Sequence, residues 1–172
     1  MEPKYYQSNY YKDLHYKVCL PTDNIVAELI SAIIEVENGH PKAWFTNWHK
    51  YDLWYSIVAI KDNLPISIAS ARKDGKILCY LYTLSEYRNI YRELAQIDYI
   101  PIHVELAETR ILYLSIHAFD KKHERLAKAW DRKLLNHLPD DVTPYRGKFV
   151  YKGIKEYRHV PQHIYELDLD NV

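Results

Sequence analysis

Ile77-Leu78-Cys79-Tyr80-Leu81-Tyr82-Thr83-Leu84-Ser85-Glu86-Tyr87-Arg88-Asn89-Ile90-Tyr91-Arg92-Glu93 is the stretch that decides how this chain folds. Ile77–Leu84 is rich in branched and aromatic residues and reads as a half-buried strand. Ser85-Glu86 forms a polar corner, and a basic, helix-forming segment follows at once. A strand that ends at a helix start gathers backbone N–H groups in one place. There the helix dipole and the unpaired donors favour an anionic ligand.

Upstream of that stretch the chain reads as a meander. Tyr55–Lys61 is a strand, Asp62-Asn63-Leu64-Pro65 a turn, Ile66–Arg72 the next strand, and Asp74-Gly75 a hairpin turn leading into Ile77. Earlier still, Leu14–Leu20 alternates with period two, and Pro21-Thr22-Asp23 ends that strand and offers an N-cap. Ile25, Val26, Leu29, Ile30, Ile33 and Ile34 make an apolar stripe at helical spacing, closed by Gly39 and Pro41. Residues 42–53, with Trp44, Phe45, Trp48 and Tyr51, read as a second, shorter helix with a core-facing aromatic stripe.

Downstream, a helix from about Arg88 to Asp98 turns Ile90, Tyr91, Leu94 and Ile97 inward, and Pro101 falls in a connector. Thr109–His117 is a strand, and Lys121–Asn136 is a helix with Leu126, Ala127, Trp130, Leu134 and Leu135 inward. After Pro139–Pro144 come two closing strands, Gly147–Ile154 and Val160–Asp168. The order β-α-α-β-β-β-α-β-α-β-β predicts an α/β (α+β) fold: a mixed, mostly antiparallel sheet flanked by helices. It predicts one domain over residues 1–172, with 1–13 as an N-terminal extension.

Composition narrows the function. The 172 residues are 48% hydrophobic and 27% charged, the profile of a globular chain with enough length for one core. Lys plus Arg equals Asp plus Glu at 23 each, so no basic field argues for nucleic acid. No run reaches the roughly 20 apolar residues of a membrane span, and the polar, Tyr-rich start does not read as a signal peptide. Cys19 and Cys79 sit within strands and read as buried thiols of a reducing compartment. A cytoplasmic location follows, the host cytoplasm if the chain is virus-encoded. Seventeen tyrosines against three phenylalanines suit half-buried sheets, clefts and interfaces; stacking of nucleobases is the sharper alternative.

The element order resembles that of the GNAT acyltransferase superfamily, from about Leu14 to Leu169. Three local matches carry the resemblance. Leu84-Ser85-Glu86-Tyr87-Arg88 is similar to the family's strand-end phrase, Ile111–Ile116 with the helix after it to its fifth strand and fourth helix, and the Tyr-rich closing hairpin to its last element. Bacteriophage proteins include GNAT-like chains with loosely kept motifs, and this Tyr-rich, Gly-poor sequence is similar in character.

The resemblance implies an acyl-CoA cleft between the family's fourth and fifth strands. Main-chain groups of Leu81, Tyr82 and Thr83 would pair with the pantetheine arm. The phosphate loop would fall on Arg88, Asn89, Ile90, Tyr91, Arg92 and Glu93. There Tyr91 and Glu93 take the two positions that the family keeps small so that backbone can approach phosphate oxygens. A tyrosine ring can point away; a glutamate places negative charge beside an anion unless Arg88 or Arg92 offsets it. In the fourth helix the best match to the family pattern is His123-x-x-Leu126-x-x-x-Trp130. Its indole is too weak an acid to protonate a leaving thiolate, and His123 is a candidate proton carrier.

Other chemistries lack their residues. Four glycines cannot build a glycine-rich phosphate loop, and no Gly-x-Ser-x-Gly elbow is present. His159 and His163, four apart on a strand, are too far apart for one metal without a bend at Pro161, and no Cys-x-x-Cys accompanies them, so no metal site is expected. Asp140-Asp141 and the pair Glu105 and Glu108 fall in loops. Glu105 and, first of all, His117 at the end of a strand are the candidates for a general base.

The leading reading is an acyltransferase moving an acetyl or longer acyl group from acyl-CoA to an amine. The alternative is a GNAT-fold binding module without catalysis. The closing hairpin is also a candidate surface for a homodimer.

Overall fold

Asp23 starts the first helix as its place before the apolar stripe predicts, its carboxylate accepting from the Ile25 N–H at 2.9 Å. The structure is a computed structural model that describes all residues except 38–39, 75–76, 119–120, 138–141 and 158–159; the side chains of His40, Pro41, Lys121, Lys122, His123 and Tyr157 are also outside the described set. The expectations for Gly39, Gly75, Asp140, Asp141, His159 and the His123 ring therefore lie outside the described residues.

The strands are β1 (Lys4–Gln7), β2 (His15–Cys19), β3 (Leu53–Lys61), β4 (Leu64–Arg72), β5 (Ile77–Thr83), β6 (Ile111–His117), β7 (Phe149–Tyr157) and β8 (Val160–Asp168). The helices are α1 (Asn24–Val36), α2 (His40–Thr46), α3 (Ile100–Leu106) and α4 (Lys121–Leu135). Strand order is β1-β2-β3-β4-β5-β6-β8-β7, with β5–β6 parallel and the pairs β1–β2, β2–β3, β3–β4, β6–β8 and β7–β8 antiparallel. This is the mixed, mostly antiparallel α/β architecture that the pattern predicts. By contacts the chain forms two compact units, residues 1–73 with 80–92 and residues 74–79 with 93–172, so β5 contributes to both.

In the first unit, β3 and β4 are buried on both faces, through Tyr55, Ile57, Val58 and Ile60 of β3 and Ile66, Ile68, Ala69 and Ala71 of β4. Val26, Leu29 and Ile33 of α1 are fully buried and face β3 and β4, each contributing about 2 kcal/mol of apolar burial. The turn between β3 and β4 is tighter than the four residues expected. Asp62 and Asn63 both take positive φ, +49° and +63°, which matches the twist of a two-residue hairpin. Leu64 and Pro65 therefore join the ladder, and Pro65 is tolerated because it lies at a register shift. Lys4–Gln7, within the segment set apart as an extension, pairs with β2 as an edge strand.

In the second unit, Ile77 and Leu78 of β5 pair with Tyr113 and Leu114 of β6, and β8 lies between β6 and β7. On α4, Ala127 and Leu134 are buried, whereas Leu126 and Leu135, expected inward, are exposed. Positions 127 and 134 lie two turns apart on one face, and 126 and 135 fall to either side of it. Gly147, at φ +81°, donates to the Leu134 carbonyl at 2.9 Å; a Cβ there would lie 2.6 Å from the His137 Cβ. Only glycine fits that helix-end contact.

The segment after β5 departs most from its reading. No regular helix spans Arg88–Asp98. Ser85–Tyr87 is a single 3₁₀ turn, Arg88–Glu93 are turns, Ala95–Tyr99 is a π-helical stretch, and α3 follows it directly. Pro101 lies at the start of α3, where the π-helical stretch runs on into it, rather than in a connector. The buried face is Tyr91, Leu94, Gln96, Tyr99, Ile100, Ile102 and His103; Ile90, expected inward, is 64% exposed.

Candidate active site

The site residues in the first unit begin at a defect in β5. Tyr80 has φ +53° in the middle of the strand, a conformation that interrupts the pleat and re-aims the backbone after it. Aromatic packing offsets the cost: the Tyr51 ring stacks on Tyr80 at 4.6 Å and Trp48 meets it edge-on at 5.7 Å. Past this point Leu81, Tyr82 and Thr83 run beside β4. The Ser67 hydroxyl donates to the Tyr82 carbonyl at 3.0 Å and pairs with the Thr83 hydroxyl at 2.7 Å.

Arg88 folds back on this strand end. Its Nε donates to the Thr83 carbonyl at 2.8 Å, its guanidinium lies 4.9 Å over the Tyr82 ring, and its Nη2 is 3.3 Å from Glu37 Oε1. The Tyr82 hydroxyl donates to the same Glu37 oxygen. Burial first, and the bond to Glu37 second, push the Tyr82 phenol above its ordinary range, so it keeps its proton at neutral pH. Glu37 was invisible to sequence reading because it stands 45 residues from Tyr82 and 51 from Arg88.

The corner after Thr83 is a turn rather than a helix start. The Tyr87 amide donates to the Leu84 carbonyl at 2.9 Å and the Tyr91 amide to the Tyr87 carbonyl at 3.1 Å. Among the described residues no acceptor takes the amides of Asn89 and Ile90. These two adjacent donors, with the exposed side chains of Arg88 and Arg92, are the electropositive part of the corner. No helix dipole adds to them, which corrects the expectation of a helix N-terminus here. Tyr91, the bulky residue at a small-residue position, turns its ring away: it is 3% exposed, and its hydroxyl donates to Asp13.

The second unit holds the remaining sequence candidates. Glu93, the second departure from small residues, is matched by two cations: Arg146 Nη2 at 2.5 Å and Lys133 Nζ at 3.6 Å from its carboxylate oxygens. Arg146 and Lys133 thus offset its charge. Glu105 stands on the exposed side of α3, not in a loop. His117 is half-buried at the end of β6, opposite Gln162 of β8. Trp130 is half-buried on α4, with the Lys133 ammonium 5.7 Å from its ring.

A polar chain that sequence reading did not find crosses β7, β8 and α4. The Tyr151 hydroxyl lies 2.8 Å from His163 Nδ1, and His163 Nε2 lies 3.3 Å from Glu124. Burial, then the charges of Asp131 and Glu124, raises the Tyr151 phenol, which makes it a donor and not a nucleophile. Among the described residues no cluster of His, Cys, Asp and Glu is arranged to hold a metal ion, and no helix is long and apolar enough to cross a membrane.

Solved structures of acetyltransferases share this fold. An acyl-CoA N-acyltransferase from Pseudomonas aeruginosa superposes with a TM-score of 0.56 at 14% identity, over 90% of this chain and 99% of that one. An acetyltransferase of the GNAT family from Staphylococcus aureus Mu50 gives 0.53 at 13% identity, over 90% and 99%. A GCN5-related N-acetyltransferase from Brucella melitensis gives 0.55 at 9% identity, over 99% and 81%. No protein-family model and no curated protein matches the sequence. At these identities the likeness is one of fold.

Proposed function

We propose that this chain, which carries the GNAT acetyltransferase fold, transfers an acyl group from acyl-CoA to an amine. The observation that supports it most directly is the corner after β5. Its two bulky departures from a phosphate-binding loop are both accommodated, Tyr91 by Asp13 and Glu93 by Arg146 and Lys133. The amides of Asn89 and Ile90, flanked by the exposed side chains of Arg92 and of Arg88, which Thr83 and Glu37 hold in place, suit a diphosphate. The main chain of Leu81, Tyr82 and Thr83 is the strand against which a pantetheine arm would lie.

The chemistry asks little more of the protein. The amine nitrogen attacks the thioester carbonyl, a C–N bond forms, the C–S bond breaks, and the amine proton leaves as the thiolate is protonated. Positioning and donors to the developing oxyanion supply most of the acceleration. His117 is the first candidate to take the amine proton and Glu105 the second. Tyr82 donates its hydroxyl to Glu37 and lies under the Arg88 guanidinium, so its part is to hold Glu37 and Arg88 in place.

Thermal unfolding with CoA and acetyl-CoA, followed by release of free thiol with a panel of amines, tests the proposal. A micromolar ligand at a hundredfold excess over Kd adds about 2.7 kcal/mol of stability. Binding with thiol release supports transfer, and binding without release from any amine favours the binding module. Absence of stabilisation by CoA, acetyl-CoA and longer acyl-CoAs at millimolar concentration overturns transfer and leaves a module that binds another ligand or a protein.

A further inference from the structure

Residues 8–14 form a tight loop built to present one carboxylate. Gln7 Nε2 donates to the carbonyls of Ser8, Lys12 and Leu14 at 3.2, 3.3 and 2.8 Å. The hydroxyl of buried Ser8 accepts from the Tyr11 amide at 2.9 Å, and the Leu14 amide donates to the Tyr11 carbonyl at 3.0 Å. With the Ser8 amide to Leu14 carbonyl bond at 3.2 Å, and the two Gln7 N–H groups shared among three carbonyls, these contacts fix residues 8–14. β1 anchors the loop on β2.

The loop ends at the Tyr91 side chain. Asp13 accepts from the Tyr91 hydroxyl, and the Tyr11 ring meets the Tyr91 ring edge-on at 5.1 Å. Tyr87 lies on the other side at 6.4 Å. Lys61, ion-paired to Asp62 at 2.9 Å, is close enough to Asp13 to feel its charge. Tyr91 is thus gripped at its hydroxyl and on its ring, while its neighbours Asn89 and Ile90 keep their amides open.

We propose that Asp13 is a positioning residue for the corner Arg88–Arg92: its bond to Tyr91 holds that ring inside the first unit and so fixes the turn whose amides face an anion. This rests on the reading that the corner holds the phosphates of CoA. The N-terminal segment then acts as a clasp on the ligand loop and not as an appendage.

The test compares the full chain with Asp13→Ala, Tyr91→Phe, their double variant and Asp13→Asn. CoA affinity is measured by calorimetry, and amide exchange over residues 87–92 is measured without ligand. Each of the first two variants is expected to weaken CoA about tenfold and to speed exchange at 88–92. The double variant should be no weaker than either single, because both remove the same bond. Asp13→Asn keeps an acceptor and should stay within about threefold of wild type.

The clasp is overturned by CoA affinity within about twofold of wild type in Asp13→Ala and Tyr91→Phe. Additive losses in the double variant overturn it as well. If wild type does not bind CoA, the acyl-CoA reading fails by itself. The exchange arm then decides the clasp: faster exchange at 88–92 supports it, and unchanged exchange overturns it.

Discussion

Replacing Glu93 by Gln separates a local reading of the sequence from the tertiary structure. Arg146 is 8% exposed, and its guanidinium is paired with Glu93 at 2.5 Å. Glu93→Gln leaves that guanidinium desolvated with only a neutral amide oxygen as acceptor. Breaking a fully buried pair costs roughly 3–5 kcal/mol, and a fully exposed one roughly 0.2–1 kcal/mol. The Glu93 side chain is 34% exposed, and water takes up part of the loss, which puts the cost at about 2 kcal/mol. In a chain of this length that lowers Tm by roughly 4–8 °C, read by calorimetry and urea unfolding at pH 7. Glu93→Gln with Arg146→Met should recover about 1 kcal/mol, since it removes the orphaned charge. Read locally, the same substitution would be a gain for anion binding; with the carboxylate committed to Arg146 and Lys133, CoA affinity should change less than about threefold. A Glu93→Gln protein within about 0.5 kcal/mol of wild type, or a double variant weaker than the single, would refute this reasoning.

The buried phenols set an alkaline limit. Tyr55, Tyr82, Tyr91 and Tyr165 are all raised above the ordinary range, in each case first by burial. A folded-state pKa above the unfolded value of about 10 gives stability that is full below that pH and is lost as pH climbs toward the folded values. The urea midpoint should therefore be level from pH 7 to 9 and fall above about pH 10; an unchanged midpoint at pH 11 would contradict it. Burial also pushes the Cys19 thiol, 1% exposed, up to about 12. It should resist a disulfide-exchange reagent at pH 8 in the folded protein and react on unfolding; rapid labelling of the native chain would show that β2 opens far more often than its burial implies.

Local patterns were legible wherever one short-range force set the outcome. The alternation of β2, the Asp23 cap and the stripe of α1 all follow from neighbours a few residues apart. The errors fell where a distant partner outweighed periodicity. Ile90 and Tyr91 read as one helical face, but Asp13, 78 residues away, captures Tyr91 and the segment turns instead of coiling. Pro101 read as part of a connector, yet it lies at the start of α3, which continues the π-helical stretch before it. Arg88 was found from the phrase it ends; Glu37, which shares its charge, and Arg146, which matches Glu93, left no local signature.

From sequence alone, order, spacing and alternation determined the sheet, its helices and the place of the corner after Thr83, because strand pleats and helical faces are written in residues two to four apart. Whether that corner presents amides or bulk was decided in three dimensions. Tyr91 and Glu93 look obstructive in a row of letters, but Asp13, Lys133 and Arg146, brought in from elsewhere in the chain, draw one ring aside and offset one carboxylate. Coulomb attraction and hydrogen bonds act across space, and no spacing rule along the chain records them.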